Sequence, residues 1–146
     1  MSEDLGFLIG DTARLMRRAF DERVRTKGIT RPQWRVLGLL NRFGGRSQVA
    51  LAEMMDVEPI TLGRMIDRMQ DAGLVERRAD PNDRRAWRVF LTPSGESRLE
   101  DLKPLANELF ADAVSGLTDS QQAELEAMLD IIRLNLTRRA PEAANG

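Results

Sequence analysis

Four helical stretches, one turn-rich hairpin and two further helical stretches, in that order, predict a mainly α-helical chain with a small β-hairpin. Three observations carry this expectation. Apolar residues recur at helical spacing over most of the 146 residues. Glycines and capping residues punctuate that pattern at Gly28, Gly44, Gly45 and Gly73. Only between residues 74 and 92 does the period change to alternation, around the turn-rich string "ADPNDRRA".

The first helix is expected over Leu5 to Thr26, where Leu8, Thr12, Leu15, Ala19 and Phe20 follow helical spacing. Gly28 breaks it. Thr30 and Gln33 then form a capping-box pattern before a second helix, Arg31 to Arg42. Its stripe of Trp34, Leu37, Leu40 and Phe43 is broad enough to be deeply buried. Ser47 caps a short third helix, Gln48 to Met55, and a fourth runs from Pro59 to about Ala72, with Gly73 as its terminator. In that fourth helix Leu62, Met65, Ile66 and Met69 face inward, while Gly63, Arg64, Asp67 and Arg68 face outward.

"LVERR" (74–78) and "WRVFL" (87–91) read as the two strands of the hairpin, leaving Arg84 and Arg85 at its tip. Thr92 and Pro93 open a fifth helix, which Pro104 is expected to bend or interrupt. Leu99, Leu102, Ala106, Leu109, Phe110 and Ala113 form its apolar face. Thr118 and Gln121 make a second capping box before a last helix with Leu125, Met128, Leu129, Ile132 and Leu136. Residues 139–146 read as a frayed tail. A short helix, a tight turn, a longer helix and a two-stranded ribbon together make a winged helix-turn-helix, here spanning 30–92 with its wing at 74–92.

Composition bounds the chemistry. The length suits a single domain over 1–146, and 42% hydrophobic residues suffice for a core. There is no Cys, which removes disulfides and thiolate chemistry, and no His, the commonest general base and metal ligand. No catalytic or metal residue is assigned, no cofactor is expected, and an enzyme is disfavoured. No apolar run reaches the roughly 18 residues of a membrane span. "MSEDLGFLIG" lacks a basic leader segment, so the cytosol is expected. Residues 1–92 carry 17 basic and 13 acidic side chains, and residues 93–146 carry 5 and 10. A basic front and an acidic back suit a polyanion on one side.

The strings "GITRPQWRVL", "SQVALAEMMDVEPITLGRMIDRMQDAGLVERR" and "DPNDRRAWRVFLTPSG" resemble the MarR family of transcription regulators, on its SlyA-like branch. The resemblance covers about Leu5 to Arg138, and its most specific element is the wing string Asp-x-x-Asp-Arg-Arg. It implies a homodimer whose helical dimerisation region comprises 1–28 and 93–138. It implies binding to a pseudo-palindromic double-stranded operator, usually as a repressor, at the bacterial nucleoid. It also implies possible release by a small aromatic or phenolic ligand.

Matching positions supply the expected roles. Arg64 reads a base or holds a phosphate, and Arg68 holds a phosphate. Pro59, Ile60, Thr61 and Gly63 lie at the leading edge or on the exposed face of the recognition helix. Ser47 and Gln48 present helix-start N–H groups to a phosphate. Arg85 matches the family's minor-groove arginine, Arg84 lies along the backbone and Asp83 orients both. Glu58 is expected to pair with Arg85 in the free protein. Arg14, Arg17, Arg18 and Trp34 are candidates for an anionic ligand. Plainer readings stand beside these: a solvated face for the arginines of the first helix, core packing for Trp34 and Ile60, and an ion pair with Asp67 for Arg64 or Arg68. A protein-interaction winged helix, or an anti-silencing DNA-binding protein without a ligand, is the alternative function.

Overall fold

The computed structural model describes residues 2–144, with side chains over 4–137. Its helices are α1 (Ser2–Val24), α2 (Arg31–Phe43), α3 (Gln48–Met55), α4 (Pro59–Asp71), α5 (Pro93–Ala113) and α6 (Asp119–Ala144). Three strands, β1 (Arg46–Ser47), β2 (Val75–Asp80) and β3 (Asp83–Leu91), form an antiparallel sheet in the order β1-β3-β2. The architecture is a winged helix. The chain divides into two compact units, the first through Leu109 and the second from Phe110.

The core of the first unit is built where the apolar periodicities meet. Val36, Leu37 and Leu40 of α2 pack with Leu51, Ala52 and Met55 of α3 and with Leu62, Ile66 and Met69 of α4. Val75 and Val89 close the core from the sheet. Leu37, Leu51, Leu62 and Ile66 are fully buried. Truncating any of them to Ala costs about 2–5 kcal/mol.

The turn between α3 and α4 is set by two backbone bonds, the first from the Asp56 N–H to the Glu53 carbonyl at 3.2 Å. Asp56 adopts φ 52°, and the Val57 N–H donates to the Ala52 carbonyl at 3.0 Å. Aspartate tolerates the left-handed region better than most residues. Val57 then packs against the core. At the far end of α4, Gly73 takes φ 77°, and the Leu74 N–H reaches the Met69 carbonyl at 2.9 Å.

The sheet differs from the expected two-stranded ribbon in two respects. β1 is a third strand, pairing Arg46 with Val89 and Ser47 with Arg88. Two residues are too few to display a period. Gly45 permits the approach, because a Cβ there would stand 2.4 Å from a Phe90 ring carbon. The hairpin is also longer. Pairing continues to Asp80 opposite Asp83, so the tip is Pro81–Asn82, and Arg84 and Arg85 lie on β3. The turn closes in so short a space because its acids cap it. The Asn82 N–H donates to Asp80 Oδ1 at 2.9 Å, and the Arg85 N–H to Asp83 Oδ1 at 3.0 Å.

The wing is knotted to α5 at Thr92. Its N–H donates to the Leu74 carbonyl (3.1 Å), its hydroxyl donates to the Gly73 carbonyl (2.5 Å), and the Gly95 N–H donates back to its Oγ1 (3.0 Å). Gly95 is obligatory here, since a Cβ would lie 2.1 Å from the Leu74 carbonyl oxygen.

Other expectations shift. α5 passes Pro104 without interruption. Pro104 and Glu100, whose carbonyl loses its partner, are both exposed, so water can satisfy the orphaned oxygen. Phe43 is not deeply buried but 37% exposed, and the Arg42 and Arg46 guanidinium groups lie over its ring at 5.8 and 5.4 Å. Trp34 is half-buried. The Thr118–Gln121 capping box forms with both reciprocal bonds, at 2.9 and 3.1 Å. α6 runs through Ala144, and residues 145–146 of the expected tail lie outside the described residues.

Candidate nucleic-acid interface

The candidate residues fall on three elements of the first unit. Ser47 is the N-cap of α3, its Oγ accepting the Ala50 N–H at 3.1 Å, and Gln48 is the first helical residue. At the start of α4, Pro59, Ile60 and Thr61 are exposed. Ile60 is 73% exposed, which rules out core packing for it. Arg64 and Arg68 are exposed further along α4, and Arg84 and Arg85 are exposed on β3. The register shifts between Ala79 and Asp80, so Arg84, Arg85 and Ala86 form a bulge on β3 between the residues paired at Trp87 and Asp83.

Three acids near these arginines, Asp67, Asp80 and Asp83, are engaged elsewhere. Asp67 pairs with Arg77, Nη1 to Oδ1 at 2.6 Å, and not with Arg64 or Arg68. Asp83 holds the backbone N–H of Arg85, not its guanidinium. Glu58 is the N-cap of α4 with no side-chain capping bond. The expected pair between Glu58 and Arg85 does not form: the short turn and two capping carboxylates order the wing without it. Asp80 accepts from Asn82 N–H and from Arg88 Nε at 3.1 Å. The Asn82 backbone bond, then the Arg88 guanidinium, hold its carboxyl below the usual range. Among the described residues Arg64, Arg68, Arg84 and Arg85 make no ion pair, so four cations face solvent uncompensated.

Gly63 is half-buried rather than outward-facing, and its carbonyl accepts from Arg77 Nη2 at 3.0 Å. Gln48 also turns inward, its Oε1 accepting from Arg77 Nε at 2.5 Å. The Gln48 side chain and the Gly63 carbonyl therefore serve the protein. Arg77 was not among the sequence candidates. The available signal was its place two residues after Val75, which puts a charge on the inward face at the base of β2.

The ligand candidates do not converge. On α1, Arg14 bonds Asp11 at 2.7 and 2.9 Å, and Arg18 stands 4.0 Å from Glu22. Trp34 donates its indole N–H to Asp21 Oδ1 at 2.8 Å and meets Phe20 edge-on at 4.8 Å. No contact joins Trp34 to Arg14, Arg17 or Arg18 among the described residues. An open groove of about 440 Å³ lies elsewhere, lined by Gly28, Ile29, Gln33, Ala72, Leu74, Ser94 and Arg98. Among the described residues no group of three or more side chains is placed to hold a metal, and no helix is long and apolar enough to cross a membrane.

Comparison with known proteins gives consistent matches. The MarR family profile matches residues 29–87. The HTH-type transcriptional repressor IacR of Pseudomonas putida is 32% identical over 105 residues, which cover 72% of this chain. The chain spans 63% of the length of that relative. A MarR transcriptional regulator from Methanosarcina mazei Go1 superposes with a TM-score of 0.82 at 30% identity, over 93% of this chain and 98% of that one. A cysteine-substituted MarR from E. coli, in complex with operator DNA, gives a TM-score of 0.73 at 31% identity, over 88% and 93%.

Proposed function

The chain belongs to the MarR family of transcription regulators, and from that premise we propose that it is a dimeric, sequence-specific DNA-binding repressor of the SlyA-like branch. α4 enters the major groove of a pseudo-palindromic operator, and the wing enters the adjacent minor groove. The observation that carries this is the set of four exposed arginines without ion-pair partners, two on α4 and two on β3. Surface arginines next to carboxylates usually pair with them; here Asp67, Asp80 and Asp83 are engaged with other groups.

Roles follow the placement. Arg64 reads a base edge or grips a phosphate, and Arg68, one turn on, holds the backbone. Ile60, Pro59 and Thr61 present small or apolar surface at the helix start, suited to thymine methyls. Arg85 enters the minor groove and Arg84, beside it in the bulge of β3, lies along the phosphates. The start of α3 at Ser47 and Gln48 offers backbone N–H groups to a phosphate.

Dimerisation is supported by apolar surface at both ends of the chain. Leu5, Phe7, Leu8 and Leu15 of α1 are exposed, as are Met128, Ile131, Leu134 and Leu136 of α6. Release by a small aromatic anion is supported by family membership; Arg17 is the first-helix arginine without an ion pair among the described residues.

The test is fluorescence anisotropy with a labelled duplex enriched from a random pool. Arg85→Ala is expected to weaken binding more than tenfold, on the order of 1–3 kcal/mol. Equal affinity of mutant and wild type at moderate salt refutes the wing's role.

A further inference from the structure

We infer that Arg77 is a positioning residue that fixes the wing against the recognition helix and keeps Arg64 available to DNA. The inference rests on the DNA-binding reading above and deepens it.

Arg77 lies on β2 opposite Val89, and its side chain is only 18% exposed. From β2 its guanidinium reaches two other elements, α3 and α4. Nε donates to Gln48 Oε1 of α3 at 2.5 Å. Nη1 donates to Asp67 Oδ1 at 2.6 Å and to Gln70 Oε1 at 3.3 Å, and Nη2 to the Gly63 carbonyl at 3.0 Å. Gly63, Asp67 and Gln70 stand at i, i+4 and i+7, along one face of α4. A guanidinium has five N–H donors in a rigid fork, and four are used here. A lysine ammonium has three donors at one point and cannot span these acceptors.

Two consequences follow for the DNA-facing surface. Asp67 stands three residues after Arg64, the spacing at which helical side chains pair. With Arg77 holding its carboxylate, Arg64 has no local acid to fold onto, and the acid's charge is neutralised beside the DNA-facing stripe. Arg77 also sets the distance between α4 and the wing before DNA arrives. A grip divided between Arg64 on one element and Arg85 on another gains from that preorganisation, because the hairpin is not ordered at the moment of binding. Without Arg77 the wing keeps its anchorage at Thr92 and β1 but loses its tie to the helix it works with.

A double-mutant cycle tests this, using the enriched duplex and anisotropy at one salt concentration. Arg77→Gln is expected to weaken binding about tenfold. The Arg85→Ala penalty, more than tenfold in the wild-type background, is expected to shrink to about threefold in the Arg77→Gln background. Loss of stability alone does not produce that shrinkage. Asp67→Asn, which leaves the other three Arg77 bonds in place, guards against misfolding of the first variant and is expected to shrink the Arg85→Ala penalty less. Trp87 gives an independent reading: in a Trp34→Phe background its fluorescence anisotropy in the free protein is expected to fall on Arg77→Gln. Fully multiplicative penalties with both variants, or wild-type affinity for Arg77→Gln, overturn the role of Arg77 and leave the DNA reading standing. A pool from which the wild-type protein enriches no duplex overturns both.

Discussion

Asp21 joins two parts of the chain that sequence spacing leaves unconnected. Its carboxylate accepts from Arg31 Nε at 2.6 Å and from the Trp34 indole at 2.8 Å. Burial works against its ionisation, but the bonds from Arg31 and Trp34 and the charges of Arg31 and Arg25 outweigh that, and its pKa falls below the ordinary value of 3.8. A depressed carboxylate contributes stability that is fully present above the unfolded-state pKa and is lost as pH falls through the folded-state value. Asp21→Asn is therefore expected to flatten the acid limb of the Tm–pH curve below about pH 4, with a nearly constant offset from pH 5 to 7. Thermal melts of both proteins across that range check it; parallel curves down to pH 2 would contradict it. The same contact accounts for Trp34, whose polar tip is satisfied within the protein.

At the scale of the element, α5 carries an internal proline without a break. Pro104 still removes one helical hydrogen bond, and an interior proline costs about 3 kcal/mol where nothing relieves it. Pro104→Ala restores an N–H toward the Glu100 carbonyl and is expected to raise Tm, with a gain of up to about 3 kcal/mol. Urea melts measure it, and an unchanged or lowered midpoint would show that the helix needs the proline. Both capping boxes and the limits of α3 were legible in the sequence, because caps and glycines are local signals. The continuity of α5 was not, because solvent exposure of the Glu100 carbonyl depends on the folded environment. β1 was hidden for the opposite reason: two residues carry no period, and only Gly45 against Phe90 reveals the pairing. Of the site, Arg64, Arg68, Arg84 and Arg85 were readable as exposed cations. Arg77 was not, because its four acceptors lie between 7 and 29 residues away along the chain.

For the whole molecule, charge and oligomeric state act together on binding. In the proposed dimer, Arg64, Arg68, Arg84 and Arg85 of both subunits are expected to put the slope of log affinity against log salt on the order of −7, with each contact contributing about −0.9. Arg85→Ala is expected to make that slope shallower by about 2. Leu134→Asp, on the exposed apolar stretch of α6, is expected to yield monomers in light scattering and to halve the slope. A monomeric wild-type protein, or a slope near −1, is incompatible with the dimeric grip.

The junction at Gly95 has a mechanical meaning. The Leu74 carbonyl fills the space where any other residue would carry a Cβ, and three hydrogen bonds through Thr92 close the same corner. Such a corner has no slack to absorb motion. If the start of α5 tilts, the base of the wing must tilt with it, so the two behave as a crank rather than a hinge. A signal that moved α5 by a few degrees would be delivered to the far end of the ribbon as a displacement of Arg85. The close approach of Gly95 to Leu74 thus sits where it has leverage over the wing.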